Sequence, residues 1–150
     1  ILIEAGKGYS VDYYEESLVP EISYILVEAR VAITPLDKFV RVAGTMELAG
    51  IDQSVNPRRV AGFLKSVQDY LPDFAYENMK DLPVWAGLRP CSPDGLPFVG
   101  RDSKYSNLIV AAGHAMLGFT LGPITGKLVC EIVNEQPTSI DIAQLAVNRI

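Results

Sequence analysis

The chain has 150 residues, of which 49% are apolar and 21% are charged, and its formal net charge is −5. This length fits one domain or one part of a larger chain, and the composition excludes a disordered, collagenous or highly charged protein. A net negative chain with scattered Lys and Arg lacks the clustered cations on which nucleic-acid binding depends, so we expect no nucleic-acid partner.

The cysteine content bears on metal binding and on location. Cys91 and Cys130 are too few for a disulfide scaffold, and with the single His114 they do not complete the ligand set of a zinc site. We therefore expect no metal and two reduced, unreactive thiols. Reduced thiols favour the cytoplasm, and peripheral attachment at the inner face of the membrane stays open as a second location.

The start of the chain and one uncharged stretch bear on its origin. It opens with Ile1-Leu2-Ile3-Glu4, without Met or a signal-peptide pattern, so we interpret it as a segment of a longer protein. The residues from Tyr105 to Gly126 carry no formal charge and would be long enough to cross a bilayer. Their Gly, Pro, Ser, Asn and His residues favour a buried strand, a glycine loop and a helix instead.

The first third of the chain is typical of strands rich in Val, Ile and Tyr. The short turn Leu36-Asp37-Lys38 separates two of these runs, and this arrangement predicts an antiparallel hairpin. Because side chains alternate along a strand, Arg30 and Arg41 should point outward from the hairpin. The predicted strands cover residues 8–13, 22–34 and 39–46.

The remainder of the chain predicts helices and short extended segments. Asn56-Pro57 is a capping residue followed by Pro at the first helical position, and apolar residues at helical spacing continue that helix until Pro72. A second helix should run from Thr120 to Asn134, with Pro123 in its first turn. Residues 82–89, 98–99 and 108–111 should be extended, and residues 140–150 should form a short helix. This order predicts an α+β fold, a mainly antiparallel sheet with flanking helices.

The second helix has two different faces. One is apolar, and the other repeats small residues every four positions, so that another backbone can approach it closely. The apolar face consists of Leu117, Leu121, Ile124, Leu128 and Ile132, and the small-residue face of Gly118, Gly122, Gly126 and Cys130.

Three segments could carry chemistry. In Gly87-Leu88-Arg89-Pro90 an arginine ends an apolar strand, where its planar fork would grip a carboxylate or form a structural ion pair. The loop 112–120 joins a buried strand to a helix start, where free N–H groups and the positive end of the helix dipole would stabilise an anion or a cofactor oxygen. Its His114 is either a hydrogen-bonded loop residue or a catalyst. The third segment, 93–100, is a rigid turn that feeds a short strand.

Taken in order, these motifs resemble the C-terminal part of the FAD-dependent D-amino-acid dehydrogenase and oxidase family, which includes glycine and sarcosine oxidases. The bacterial D-amino-acid dehydrogenase branch is the most similar, through its Lys-Gly-Tyr-Ser opening and its Gly-His-x-x-x-Gly-x-Thr loop. The matching stretches are Lys7-Gly8-Tyr9-Ser10, Val42 to Leu48, Trp85 to Pro90, Ser92 to Gly100, Gly113 to Gly118 and Gly122 to Gly126.

The resemblance implies a division of labour along the chain. A dinucleotide-binding unit with a Gly-x-Gly-x-x-Gly turn, which this sequence lacks, would lie upstream and hold most of the FAD. Residues 1–89 would bind the substrate, with Arg89 gripping its carboxylate. The oxidase branches add a Tyr from the hairpin, which the strand around residues 28–34 lacks here. The candidates for this second contact are Tyr9, which we favour, Tyr13, Tyr14 and Tyr24. Residues 90–150 would contact the cofactor through Gly113, His114, Gly118, Phe119 and Thr120.

The resemblance also implies a reaction. The C–N bond of a D-amino acid or related amine would be oxidised by hydride transfer from Cα to the flavin, and water would hydrolyse the imino acid. The chain alone should hold FAD weakly and be inactive, with its apolar helix face exposed or covered by self-association. Two alternatives stay open: a non-catalytic module that binds a small anion through Arg89 and the glycine loop, and a hydrolase using Ser10 or Ser92 with His114.

Overall fold

The computed structural model describes all 150 residues as seven strands, three α-helices and two short 3-10 turns. Five strands form one sheet in the order β2-β3-β4-β1-β5, and β6 pairs with β7 in a second sheet. The predicted class, α+β with a mainly antiparallel sheet, is confirmed. The strands are β1 Glu4–Tyr13, β2 Tyr24–Leu26, β3 Val31–Leu36, β4 Phe39–Leu48, β5 Val84–Cys91, β6 Phe98–Arg101 and β7 Ile109–Ala112, and the helices are α1 Pro57–Tyr70, α2 Tyr76–Met79 and α3 Gly118–Val133.

The chain divides into two compact units. One comprises residues 7–88, which we call the sheet unit, and the other comprises residues 1–6 and 89–150, which we call the loop unit. Both β1 and β5 run from one unit into the other. The predicted division of function between residues 1–89 and 90–150 stays a prediction.

The predicted hairpin is present in the sheet unit. Strands β3 and β4 are antiparallel, with Leu36 opposite Phe39, so that Asp37 and Lys38 form a two-residue turn. The edge strand β2 pairs only with residues 31–33, which leaves Pro35 beyond it, where the missing N–H of a proline is tolerated. Arg41 points outward as predicted, and its guanidinium binds both carboxylate oxygens of Asp12 at 2.7 and 2.8 Å.

The prediction of one continuous strand over residues 22–34 was wrong. The run is broken into β2 and β3 by a turn over residues 27–30. Arg30 is exposed, but it closes this turn with a left-handed φ of +55° and is not an outward residue of a strand. No Gly, Pro or Asn marks the turn Val27-Glu28-Ala29-Arg30, so its composition does not distinguish it from the strands around it.

Helix α1 builds the core of the sheet unit. Asn56 caps it as predicted, because its Oδ1 accepts the N–H of Arg58 at 3.1 Å. The apolar residues at helical spacing are buried against one side of the sheet, where β-branched residues of β3 and β4 face them. The buried residues of this core include Val60, Phe63, Leu64 and Val67 of α1 and Val31, Ile33, Val40 and Val42 of the hairpin.

The contact between Gly44 and Phe63 sets the spacing of helix and sheet. A Cβ placed on Gly44 would lie only 3.0 Å from Cγ of Phe63. Gly44→Ala should therefore lower the free energy of unfolding by about 1–3 kcal/mol, the usual cost of overpacking a filled core. Chemical denaturation would measure this loss. Adding Phe63→Leu to the same chain should recover part of it, and simple additivity of the two losses would contradict the proposed crowding.

The loop unit is a second, smaller packing of sheet and helix. Strands β6 and β7 pair antiparallel, with Phe98 opposite Ala112, and α3 packs against both. Arg101 donates to the carbonyls of Ser106 and Ile132, the latter at 3.0 Å, and so ties the hairpin turn to the C-terminal end of α3. No helix in the structure combines the length and the apolar character that spanning a bilayer requires.

The helices differ from the prediction in three places. Helix α3 begins at Gly118, so Pro123 lies in its second turn, where it offers no N–H to the carbonyl of Phe119. The predicted helix over 140–150 was wrong, because only residues 143–145 form a 3-10 turn and Ala146 leaves the helical region with ψ 140°. The short helix α2 was not predicted, and its first N–H donates to Gln68 Oε1 of α1 at 2.8 Å.

Candidate functional site

The end of β5 is hydrogen-bonded to the glycine loop. Arg89 is a half-buried residue of this strand. The carbonyl of the next residue, Pro90, accepts the N–H of Ala115 at 2.9 Å, and Cys91 forms an antiparallel bridge with His114. The backbone that carries Arg89 is therefore fixed directly to the loop, and the structure brings these two sequence-predicted features together within the loop unit.

The path of the glycine loop depends on a backbone conformation at position 113 that favours glycine. Gly113 has a φ of +83°, and a Cβ at this position would lie 3.3 Å from Phe98 Cδ2 and 3.6 Å from Ser92 Cβ. A side chain here would be strained by the backbone and crowded by its neighbours. The loop then tightens, with the N–H of Leu117 donating to the carbonyl of His114 at 2.9 Å.

His114 ties the loop to α3. Its Nε2 lies 3.0 Å from Oγ1 of Thr125, two turns into the helix, and its side chain is half-buried. The structure gives this imidazole no hydrogen bond to Ser10 or Ser92, so it supplies no nucleophile–base pair for the hydrolase alternative. The observed bond gives His114 a structural role, and its predicted contact with a cofactor stays a prediction.

The N-terminus of α3 presents three free donors. The first bond within the helix runs from the N–H of Leu121 to the carbonyl of Leu117 at 2.8 Å, and Leu117 provides no side-chain cap. The N–H groups of Gly118, Phe119 and Thr120 consequently have no acceptor in the chain, and all three residues are exposed. A helix of sixteen residues adds its dipole at this end, so the donors suit an oxygen that gains negative charge.

This donor set fits the cofactor that the resemblance implies. A flavin gains negative charge on its ring when it is reduced, and backbone N–H groups at a helix start are suited to stabilise it. The exposed glycine at the first helical position leaves room for a flat ligand to approach the backbone. Contacts of Gly113, Gly118, Phe119 and Thr120 with FAD stay predictions.

Tyr9 lies in the core of the sheet unit, where its hydroxyl already has partners. The side chain is only 1% exposed. Its hydroxyl donates to Glu47 Oε2 at 2.9 Å and accepts the N–H of Asn56 at 3.2 Å. A substrate would have to displace Glu47 to reach this hydroxyl. The predicted contact of Tyr9 with a substrate stays a prediction, and the function proposed below does not use it.

Sequence reasoning missed a charged cluster around Tyr9, built on a buried lysine. Lys7 is 1% exposed, and its Nζ donates to Asp52 Oδ2 and to the carbonyl of Ser54, each at 2.8 Å. Its hydrogen bond to Asp52 raises the pKa of Lys7 and lowers the pKa of Asp52 well below its usual range. Glu47 completes the cluster, 3.9 Å from Lys7 Nζ. The alternation Lys7, Tyr9, Val11 is the signal that places Lys7 on the buried face of β1.

Strand β4 changes its alternation to complete this cluster. Gly44 faces α1, yet Glu47, three residues later, also reaches the side on which Tyr9 lies. Between them Thr45 adopts a left-handed φ of +62°, an unusual conformation for a β-branched residue. Such a local irregularity re-aims the following side chains, as β-bulges do.

Gly87, two residues before Arg89, lies under the ring of an exposed tryptophan. Trp85 is 67% exposed, and its ring lies across the backbone of Gly87, so that a Cβ on Gly87 would lie 2.0 Å from Trp85 Cη2. Any larger residue at position 87 would displace the indole. No three His, Cys, Asp or Glu side chains are grouped so that they could hold a metal ion.

Comparisons with known proteins agree with the motifs. The sequence model of the family described as "FAD dependent oxidoreductase" matches residues 2–132. A D-amino acid dehydrogenase of Granulibacter bethesdensis is 37% identical over 149 residues, which cover 95% of this chain and 34% of that protein. The D-amino acid dehydrogenase of Helicobacter pylori is 33% identical over 132 residues, covering 87% of this chain and 32% of that protein.

Solved structures show the same fold. Glycine oxidase from Geobacillus kaustophilus superposes with a TM-score of 0.87 at 27% identity, covering 99% of this chain and 40% of the oxidase. Iminodiacetate oxidase from Chelativorans superposes with a TM-score of 0.83 at 20% identity, which shows a shared fold, and covers 96% of this chain and 39% of that protein. The chain spans about a third of the length of the curated relatives it matches. By its matched profile and its relatives, the chain belongs to the family of FAD-dependent oxidoreductases.

Proposed function

We propose that this chain forms the substrate-binding and C-terminal portion of an FAD-dependent enzyme that oxidises the C–N bond of a D-amino acid or a related amine. The observation that carries the proposal is the attachment of the Arg89 strand to the glycine loop, through Pro90 and Cys91. One short stretch of backbone thus carries a guanidinium, and the loop bonded to it leads to three free N–H donors. A carboxylate ligand and a flavin ring would need these two groups.

Arg89 would bind the substrate carboxylate. Its planar fork can donate two parallel hydrogen bonds to a carboxylate, and that geometry fixes orientation as well as position. Pro90 restricts the backbone directly after Arg89, so the Arg89 side chain extends from a rigid part of the backbone. By holding the acid group at two points, Arg89 would aim the neighbouring Cα–H bond in one direction, and orientation of this kind is a large part of the catalytic effect of a protein.

The N-terminus of α3 would hold the ring of FAD. When bound, FAD would supply the two-electron oxidation, accepting a hydride from the substrate Cα and leaving an imino acid that water hydrolyses. The N–H groups of Gly118, Phe119 and Thr120 would donate to the ring oxygen nearest to them and stabilise its negative charge. The bonds from Pro90 and Thr125 to the loop would keep these donors in place.

A further portion of the enzyme would supply most of the FAD site. The relatives are about three times as long as the stretch that this chain matches. The small-residue face of α3 is exposed at Gly118, Gly122, Gly126 and Cys130, and a Cβ on Gly122 or Gly126 would meet nothing within 4 Å. We propose that a dinucleotide-binding unit of the same protein, located in the cytoplasm, packs against this open face.

One alternative to an enzyme is a protein that only binds its ligand. Arg89 and the loop could hold a small anion in a protein without catalytic activity, because the same guanidinium and N–H donors suit any carboxylate or phosphate. Binding of an amino acid without its oxidation would distinguish this module from an enzyme.

A screen of substrates on the complete enzyme tests the proposal. We expect purified protein to carry FAD and to reduce an artificial electron acceptor when a D-amino acid is added. The matched L-amino acid and the amine without its carboxylate serve as controls, and both should react more slowly. Binding of D-amino acids without reduction of the acceptor would favour the anion-binding module, and absence of FAD would contradict the proposed function altogether.

A further inference from the structure

The end of the chain is held by one arginine. All five N–H donors of Arg149 find acceptors: two oxygens of Asp94 at 2.7 and 2.9 Å, and the carbonyls of Leu96, Pro97 and Ala146 at 2.6, 3.2 and 3.3 Å. Four of these five bonds reach the rigid turn 93–97, more than fifty residues earlier in the chain. The side chain is 11% exposed. A guanidinium bound this completely is a fixed part of the loop unit.

Arg149 also contacts the aromatic ring on which the glycine loop rests. Its Cζ lies 3.9 Å from the ring centroid of Phe98, in the geometry of a cation–π contact. Phe98 is buried, and its Cδ2 is the nearest neighbour of Gly113, with 3.3 Å to a Cβ built there. Ser92, the next nearest neighbour of Gly113, lies two residues before Asp94. Of the two side chains against which Gly113 packs, Phe98 therefore contacts Arg149 directly, and Ser92 lies two residues before Asp94, which Arg149 binds.

Val147, two residues before Arg149, also packs against the loop unit. Val147 is buried, and it is the nearest side chain to Gly100 of β6, at 3.9 Å from a Cβ built there. The bond from Arg149 lowers the pKa of Asp94 well below its usual range, so this carboxylate stays charged at a lower pH than an ordinary aspartate does. Val147 and Arg149 lie after position 132, where the match to the family profile ends, whereas the residues that they contact lie within it.

We propose that Arg149 is a positioning residue for FAD binding, which acts through Phe98 and the turn 93–97 on the glycine loop 113–120. It does not touch the cofactor. It fixes the ring of Phe98, against which Gly113 packs, and the turn 93–97, which directly follows Ser92, the other neighbour of Gly113. Gly113 sets the direction in which the chain enters the start of α3. The donors at Gly118, Phe119 and Thr120 are then presented in one arrangement. This inference rests on the proposed function, because the ligand of the loop is taken to be FAD.

The test replaces Arg149 in the complete enzyme. Arg149→Ala should weaken FAD binding about tenfold, because displacing a donor array by a fraction of an ångström is costly for a ligand that needs several donors at once. Arg149→Lys should recover only part of the affinity, since a lysine keeps the charge but cannot make five bonds. Lys127→Ala is the matched control: this exposed lysine pairs with Glu131 on α3 at 3.8 Å, and its loss should leave FAD affinity unchanged.

Amide hydrogen exchange separates positioning from general destabilisation. In Arg149→Ala, and in the milder variant Phe98→Leu, exchange should increase in residues 92–97 and 113–120 and stay unchanged in β4 of the sheet unit. At saturating FAD, the KM for the amino acid should equal that of the wild type. Unchanged FAD affinity, or faster exchange spread evenly over the whole chain, would overturn the inference. Wild-type enzyme without FAD affinity would instead refute the proposed function, and the exchange measurement would still decide whether Arg149 orders the loop.

Discussion

Arg89→Ala in the complete enzyme should raise the KM for an amino-acid substrate and lower kcat/KM by roughly 30- to 1000-fold. The range corresponds to about 2–4 kcal/mol, the usual loss when one partner of a desolvated, hydrogen-bonded charge pair is removed. The reason is geometric as well as electrostatic, because a substrate held without its two-point contact presents its Cα–H bond in many directions. FAD content should stay at the wild-type level, since the loop is bonded to the backbone of Pro90 and Cys91, which the substitution leaves in place.

Two controls make this result specific. Arg41→Ala removes another arginine of the five-stranded sheet, one that pairs with Asp12 and is exposed, and it should leave kcat/KM within about twofold of the wild type. An amine that lacks the carboxylate should react equally well with the wild type and with Arg89→Ala, because there is no acid group for the guanidinium to bind. Steady-state kinetics with both substrates provides the measurement, and an equal loss on both would remove Arg89 from carboxylate binding.

The sequence predicted those elements whose signals are local. The hairpin β3–β4 follows from the turn at Asp37 and Lys38, and helix α1 follows from Asn56 and Pro57 together with the apolar spacing after them. Where a signal is weak, prediction failed. The turn over residues 27–30 contains none of the usual turn residues. Residues 140–150 have helical composition, but only residues 143–145 form a 3-10 turn, and Arg149 binds the distant Asp94.

Contacts between distant residues explain the rest. The resemblance implies that Arg89 and the glycine loop share one site, but nothing in the spacing shows that Pro90 and Cys91 would bond the loop 25 and 23 residues later. Lys7 belongs to the Lys-Gly-Tyr-Ser motif, and only its contacts with Asp52 and Glu47, from other segments of the chain, show that it is a buried lysine paired with carboxylates. Arg149 carries no local sign of its role, since its main partner Asp94 is 55 residues away.

Gly118→Val should weaken FAD binding by about 5- to 150-fold, whereas Gly118→Ala should bind FAD almost as the wild type does. A Cβ at this position would lie 3.5 Å from Cβ of His114, an ordinary contact that alanine can make. The two further methyl groups of valine would press on His114, and overpacking of this kind costs about 1–3 kcal/mol. The strain is relieved by moving His114 away from Thr125, which shifts the start of α3 and its free N–H donors.

The pair of variants distinguishes crowding of the loop from a loss of helix stability. Both substitutions raise helix propensity relative to glycine, so a helix-propensity effect alone would favour FAD binding in each case. Equilibrium dialysis of FAD against the two variants and the wild type gives the ratio directly. Equal FAD affinity in all three would mean that the first turn of α3 does not contact the cofactor, and the donors at Gly118, Phe119 and Thr120 would then have to serve another ligand. A loss with valine only is the result that the contact between Gly118 and His114 requires, because alanine fits that space and valine does not.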